Sequence, residues 1–141
     1  MRDLLDTSVL VAAHVGDHVN HDASLRALIR AAKATSCCAA HTLAEVYAVL
    51  TSLPLRPMIR PEQAMLFLAN LRDRLTIVTL DESAYFETLE AAASLRVKGG
   101  QIYDALLLRC ARQADAGTII TWNVKHFQRI APDIADRITT P

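Results

Sequence analysis

The sequence predicts an α/β fold, a three-layer sandwich whose short parallel β-sheet is flanked by helices, in one domain spanning residues 1–141. Three observations predict it. Short β-like runs alternate with longer stretches of helical period, and strands separated by helices imply parallel pairing with helices on both faces. No linker, repeat or low-complexity tract interrupts that alternation. The composition also suits one sizeable core: 52% of residues are hydrophobic, and Gly and Pro number only four and five.

The β-like runs are Leu4-Leu5, Cys37 to Ala40, Ile77 to Thr79, Ile119 to Thr121 and Ile138-Thr139. The first helix expected runs from Asn20 to Ala34, with Leu25, Leu28, Ile29 and Ala32 on one face and Asp22, Arg26, Arg30 and Lys33 on another. A second spans Thr42 to Ser52. A third starts at Pro61, a residue suited to a first helical position, and aligns Ala64, Leu68 and Leu71. A fourth follows Asp81 as N-cap and stacks Tyr85, Leu89 and Ala92. A fifth, Ile102 to Asp115, is apolar nearly all round and is expected to be the most buried. A short helix follows Asn123.

Charge and composition exclude several classes. Fifteen basic and fifteen acidic side chains cancel to zero net charge, which excludes a polybasic nucleic-acid arm. No run approaches the ~18 apolar residues of a membrane helix, and acids break up the first residues, so neither a span nor a signal peptide is expected. Three cysteines, two of them neighbours (Cys37 and Cys38), form no disulfide framework. They read as buried strand residues, and a reducing cytoplasm is the expected compartment.

In open α/β folds ligands sit beyond the carboxyl ends of the strands, so polar residues just after a strand are the candidates. Asp6 ends the first strand in Leu4-Leu5-Asp6-Thr7-Ser8. Its ordinary reading is a helix N-cap; its functional one is a carboxylate in the crevice. Glu45 falls three residues after Thr42, a capping-box spacing, and is expected in a first turn that also faces the crevice. Asp104 is the only charged residue between Gln101 and Leu108, and an unpaired carboxylate there is costly to bury unless solvated or bound to a cation. Asn123 follows the fourth strand and reads first as an N-cap.

Taken together, three acids and an amide follow successive strands. Three carboxylates converging on one crevice repel strongly unless a hard cation neutralises them. Oxygen donors without Cys or His partners favour Mg2+ or Mn2+ over Zn2+, and the chemistry this suggests is metal-assisted attack on a phosphoryl centre.

Asp6 within Leu-Asp-Thr-Ser, Leu43-Ala44-Glu45-Val46, Tyr103-Asp104-Ala105 and Thr121-Trp122-Asn123-Val124-Lys125-His126-Phe127 resemble, in order and over essentially the whole chain, the PIN-domain ribonucleases, specifically the VapC-type toxins. The resemblance implies an acidic site binding Mg2+ or Mn2+ that cleaves single-stranded or structured RNA, leaving a 5′-phosphate and a 3′-hydroxyl. By matching position, Asp6, Glu45 and Asp104 are the catalytic acids and metal ligands. Thr7, Ser8 and Thr121 are expected to hydrogen-bond a ligand carboxylate or the phosphate, with Asn123 as an outer ligand. The last motif departs from the richest form of the pattern, which carries a further aspartate where Asn123 and His126 stand here. The resemblance also implies a homodimer and a small antitoxin that reaches the acidic crevice with a basic side chain. A catalytically weak PIN-fold RNA-binding or scaffolding module is the alternative, supported by Asn123. Other phosphotransfer folds fit poorly: Ser8 stands where a haloacid-dehalogenase-like pattern needs a second aspartate, and no phosphate-binding glycine loop exists.

Arg96, Lys98, Lys125 and Arg129 flank the third and fourth motifs and are candidate phosphate contacts, or ordinary solvated surface. His14, His18 and His21 with Asp17 and Asp22 resemble a metal cluster, but Gly16 and Asn20 favour a loop and a solvated helix entry. Leu55, Met58 and Ile59, in the Pro-interrupted turn beside Arg56 and Arg60, serve either a dimer contact or the domain's own core.

Overall fold

A computed structural model describes residues 2–141. Five parallel strands are β1 (Arg2–Leu5), β2 (Ser36–Ala39), β3 (Thr76–Val78), β4 (Ala116–Ile120) and β5 (Ile138–Thr139), in the order β3-β2-β1-β4-β5. Helices α1 (Thr7–His14) and α2 (His21–Arg30) connect β1 to β2, and α3 (Ala40–Ser52) and α4 (Pro61–Arg74) connect β2 to β3. The chain then crosses to the other side of β1 through α5 (Glu82–Ser94) and α6 (Gln101–Gln113). Helix α7 (Val124–Ile130) and a 3-10 turn (Pro132–Arg137) lead from β4 to β5.

Each strand has a side chain for each face, as the two-residue period requires. Leu5 and Cys38 pack with α1 to α4, while Leu4, Cys37, Ile119 and Ile138 pack with α6, α7 and the 3-10 turn. The result is the expected three layers with a separate core on each face. The strand order reverses at β1, with β2 on one side and β4 on the other, so Asp6 emerges at the switch point where α/β folds open a crevice.

Several expectations are corrected. Helix α1 has no amphipathic period to mark it, only the N-cap reading of Asp6: five of its eight residues are buried, so it shows no polar stripe, and it, not α6 with five of thirteen, is the most buried helix. Helix α2 ends at Arg30, because Ala31 turns extended and the Thr35 and Ser36 amides bond to the Ala32 carbonyl on the way into β2. Its buried face is Ser24, Ala27 and Leu28, leaving Ile29 exposed.

In α5 the buried stripe is Ala84, Thr88 and Ala92, one residue out of step with the expected Tyr85 and Leu89, which are exposed. Asp81 does cap this helix, accepting from the Ala84 amide at 2.8 Å, and Thr88 satisfies its buried hydroxyl on the Ala84 carbonyl. Small residues thus form the face that α5 turns inward. Helix α3 starts at Ala40, two residues before Thr42, so there is no capping box: Ala39 is the N-cap, and Thr42 lies inside the helix with its buried hydroxyl unpartnered.

The three cysteines are free and buried, and Ala64 and Leu71 are buried in α4 with Leu68 partly so. Ile59 packs on the core, while Met58 is exposed. Among the described residues no helix is long and apolar enough to cross a membrane.

Candidate active site

A cleft of about 530 Å3 opens at the carboxyl ends of β1 and β4 and is lined by the carboxylates of Asp6, Glu45 and Asp104. Thr7, Ser8, His18, Asn20, Trp122 and Asn123 share the lining, and among the described residues no Lys or Arg does. Three elements bring the acids there. Asp6 is the residue between β1 and α1, Glu45 lies in the second turn of α3, and Asp104 sits in the first turn of α6. The turn into α6 uses Gly99 at a φ of +56°, a conformation that favours glycine.

Asp6 is only 5% exposed, and its Oδ2 is held from two sides. The Ser8 and Thr121 hydroxyls each donate to it at 2.8 Å. Those hydroxyls are oriented in turn: Ser8 Oγ accepts from the Trp122 amide at 3.1 Å, and Thr121 Oγ1 accepts from the Asn123 amide at 3.0 Å. Backbone amides of the β4–α7 loop thus fix both protons on Asp6. Asp6 also occupies the N-cap position of α1, but the Ser8 amide is 3.4 Å away, so the cap bond is the weaker one. Trp122 is tethered by its indole N–H to the buried Ser24 hydroxyl at 2.8 Å.

Asp104 Oδ2 lies 2.7 Å from His126 Nε2 in α7. Burial raises the Asp104 carboxyl above its ordinary value, against the lowering effect of His126. Glu45 has no close partner: His41 Nε2 is 3.8 Å away, and the His41 ring stacks on Tyr103 with centroids 4.7 Å apart. Burial first, then the charges of Asp6 and Asp104, push Glu45 up to about 7. Thr7 faces Glu45 and eases that cost without closing a hydrogen bond, so Thr7 Oγ1 remains a buried hydroxyl with no partner.

The three carboxylates therefore sense one another's charge across the cleft. Among the described residues, however, no three acid, imidazole or thiol groups are drawn into a closed metal-holding cluster. Asn123 is at the N-cap position of α7 but makes no capping bond. Its φ and ψ of −101° and 44° are not the extended geometry of a capping residue, and its side chain lines the cleft instead. His14, His18 and His21 take separate roles. His14 stacks on Phe67, His18 Nδ1 accepts from the Asn20 amide, and His21 Nδ1 meets the Ala12 carbonyl. Arg96, Lys98, Lys125 and Arg129 are all exposed and lie outside the cleft lining.

In the sequence His126 stands with Asn123 where the pattern carries a further aspartate, which leaves its part in the site open. His41 and the Trp122–Ser24 tether were missed: His41 had the i,i+4 spacing to Glu45 as a signal, whereas its stacking on Tyr103 and the tether join segments distant in sequence.

The profile of the PIN domain matches residues 4–132. Ribonuclease VapC40 of Mycobacterium tuberculosis is 37% identical over 111 residues, which cover 79% of this chain and 79% of that protein. Among solved structures, the sarcin–ricin loop cleaving toxin VapC20 of M. tuberculosis superposes with a TM-score of 0.73 at 13% identity, covering 92% of this chain and 95% of that one. A toxin–antitoxin complex from Klebsiella pneumoniae gives 0.66 at 18% identity, covering 99% and 97%. VapBC2 from Rickettsia felis, bound to a DNA fragment from its promoter, gives 0.61 at 23%, also covering 99% and 97%.

Proposed function

The chain belongs to the PIN domain family, as a ribonuclease of the VapC type, and from that premise we propose that it is a Mg2+- or Mn2+-dependent endoribonuclease, the toxin of a toxin–antitoxin pair. The observation that carries the metal assignment is the donor set: three carboxylates in one cleft, with no Lys or Arg among its lining to neutralise them and with His18 held by the Asn20 amide. Oxygen donors that stand apart suit a hard ion that keeps some of its waters. Thr7 Oγ1, a buried hydroxyl without a partner among the described residues, would bond such a water or a substrate oxygen.

A divalent ion bound there supplies polarisation of the phosphate and an acidified water. The chain's own residues position the reaction. Asp6 and Asp104 present their unbonded Oδ1 atoms, each carboxylate being fixed through Oδ2. Glu45 completes the oxygen set or orients the attacking water. Ser8 and Thr121 act by holding Asp6, and the Asn123 amide offers a neutral oxygen. Exposed Arg96, Lys98, Lys125 and Arg129 contact flanking phosphates rather than the scissile one. The partner is a small antitoxin whose basic side chain enters the acidic cleft, a reading supported by the likeness to toxin–antitoxin complexes. The toxin acts in the cytoplasm as a homodimer.

Incubation with total RNA tests the assignment. Cleavage is expected with Mg2+ or Mn2+, none with EDTA, and the new ends should carry 5′-phosphates. Asp6→Asn and Asp104→Asn keep the side-chain shape and should each reduce the rate by about 10²–10³-fold or more. Cleavage that persists in EDTA, or wild-type rates in either variant, overturns the metal mechanism. Binding of RNA without cleavage under every metal condition would establish the RNA-binding module instead.

A further inference from the structure

We infer that His126 is a positioning residue that holds Asp104 through one oxygen and thereby sets the affinity of the cleft for its divalent ion. The inference rests on the metal reading above and goes beyond it by naming the residue that fixes this carboxylate.

The geometry is specific. His126 Nε2 is 2.7 Å from Asp104 Oδ2, a short bond between half-buried partners on different helices. On the opposite wall, Asp6 Oδ2 already accepts two hydroxyl protons, from Ser8 and Thr121. Among the described residues neither Oδ1 has a hydrogen-bond partner, so each aspartate offers one unbonded oxygen. Glu45 has no such restraint: its nearest ionic partner is His41 at 3.8 Å. Asp104 therefore meets the cleft through an oxygen whose direction the His126 contact sets.

Fixing the outer oxygen of a ligand carboxylate sets which lone pair meets the ion, and loss of such a contact typically weakens metal binding 10–100-fold. A purely structural role for His126 is the competing explanation, since its ring also lies edge-on to Phe127, with centroids 6.1 Å apart. That role would alter melting temperature without altering ion affinity.

The test is Mn2+ titration followed by electron paramagnetic resonance of the free ion, with thermal melting in EDTA as the folding control. The wild type should bind Mn2+ saturably. His126→Ala should weaken that binding about 10–100-fold. His126→Gln, whose amide N–H can reach the same oxygen, should recover most of the affinity and also serves should the alanine variant fail to fold. Unchanged affinity in folded His126→Ala would overturn the inference while leaving the nuclease assignment standing. No Mn2+ binding by the wild type would overturn both.

Discussion

Glu45 is the acid with the least support from its surroundings. Its carboxyl stands at about 7 against an ordinary 4.5 because burial and two neighbouring aspartates disfavour the charge. A carboxyl raised in the folded state contributes stability below its unfolded pKa, and that contribution is lost as pH rises through the folded value. Asp104, also raised, acts in the same direction. Without metal, Glu45→Gln should therefore match the wild type near pH 4.5 and exceed its stability at pH 8. After discounting for solvent at a partly exposed group, the gain is about 1–2 kcal/mol. Saturating Mg2+ should erase the advantage, because the cation stabilises the charged glutamate that the amide lacks. Chemical denaturation at the two pH values reads the difference directly; a Gln variant no more stable than the wild type at pH 8 would show that Glu45 bears no electrostatic strain.

Helix α3 makes the corresponding point for an element. Sequence spacing gave Thr42 and Glu45 the form of a capping box, yet the helix begins at Ala40 and places Thr42 inside it, fully buried with an unpartnered hydroxyl. The two descriptions predict opposite signs for Thr42→Val. Loss of an N-cap costs about 1 kcal/mol, whereas replacing an unsatisfied buried hydroxyl by a methyl of similar shape should gain about 1 kcal/mol. Urea unfolding should show the gain; a loss of the same size would restore the cap. The early start of α3 moves Glu45 from the first turn to the second, so the side chain approaches the cleft from the wall beside Thr7 rather than from the helix end.

For the molecule as a whole, the sheet separates two cores, and adjacent strand residues serve opposite ones. Cys37 belongs to the α6–α7 side and Cys38 to the α1–α4 side, while Cys110 of α6 packs with the former. Burial is the main cause that pushes the three thiols up to about 11, 12 and 11. Thiolate is the reactive form, so the folded protein should resist a disulfide reagent at pH 8 and release three equivalents only on unfolding. Because the cysteines sample both faces, the rates should follow global opening. Fast titration of any one thiol in the native protein would show that one face of the sheet is open.

Much of the architecture was legible because periodicity records burial. The five strands lie within a few residues of their expected runs, and the α/β class follows from their alternation with helices. Pattern failed where burial was uniform, as in α1, or where a helix turned a small-residue stripe inward, as in α5. At the site, the sequence by itself singled out Asp6, Glu45 and Asp104 by residue type, but the expected placement after successive strands holds only for Asp6: Glu45 lies in the second turn of α3, and Asp104 in α6, which follows helix α5 rather than a strand. Only the tertiary structure decided what each carboxylate touches. The Asp6–Thr121 and Asp104–His126 contacts join residues 115 and 22 positions apart. A local pattern of side chains carries burial preference, whereas a hydrogen bond between distant segments depends on how the sheet brings their ends together.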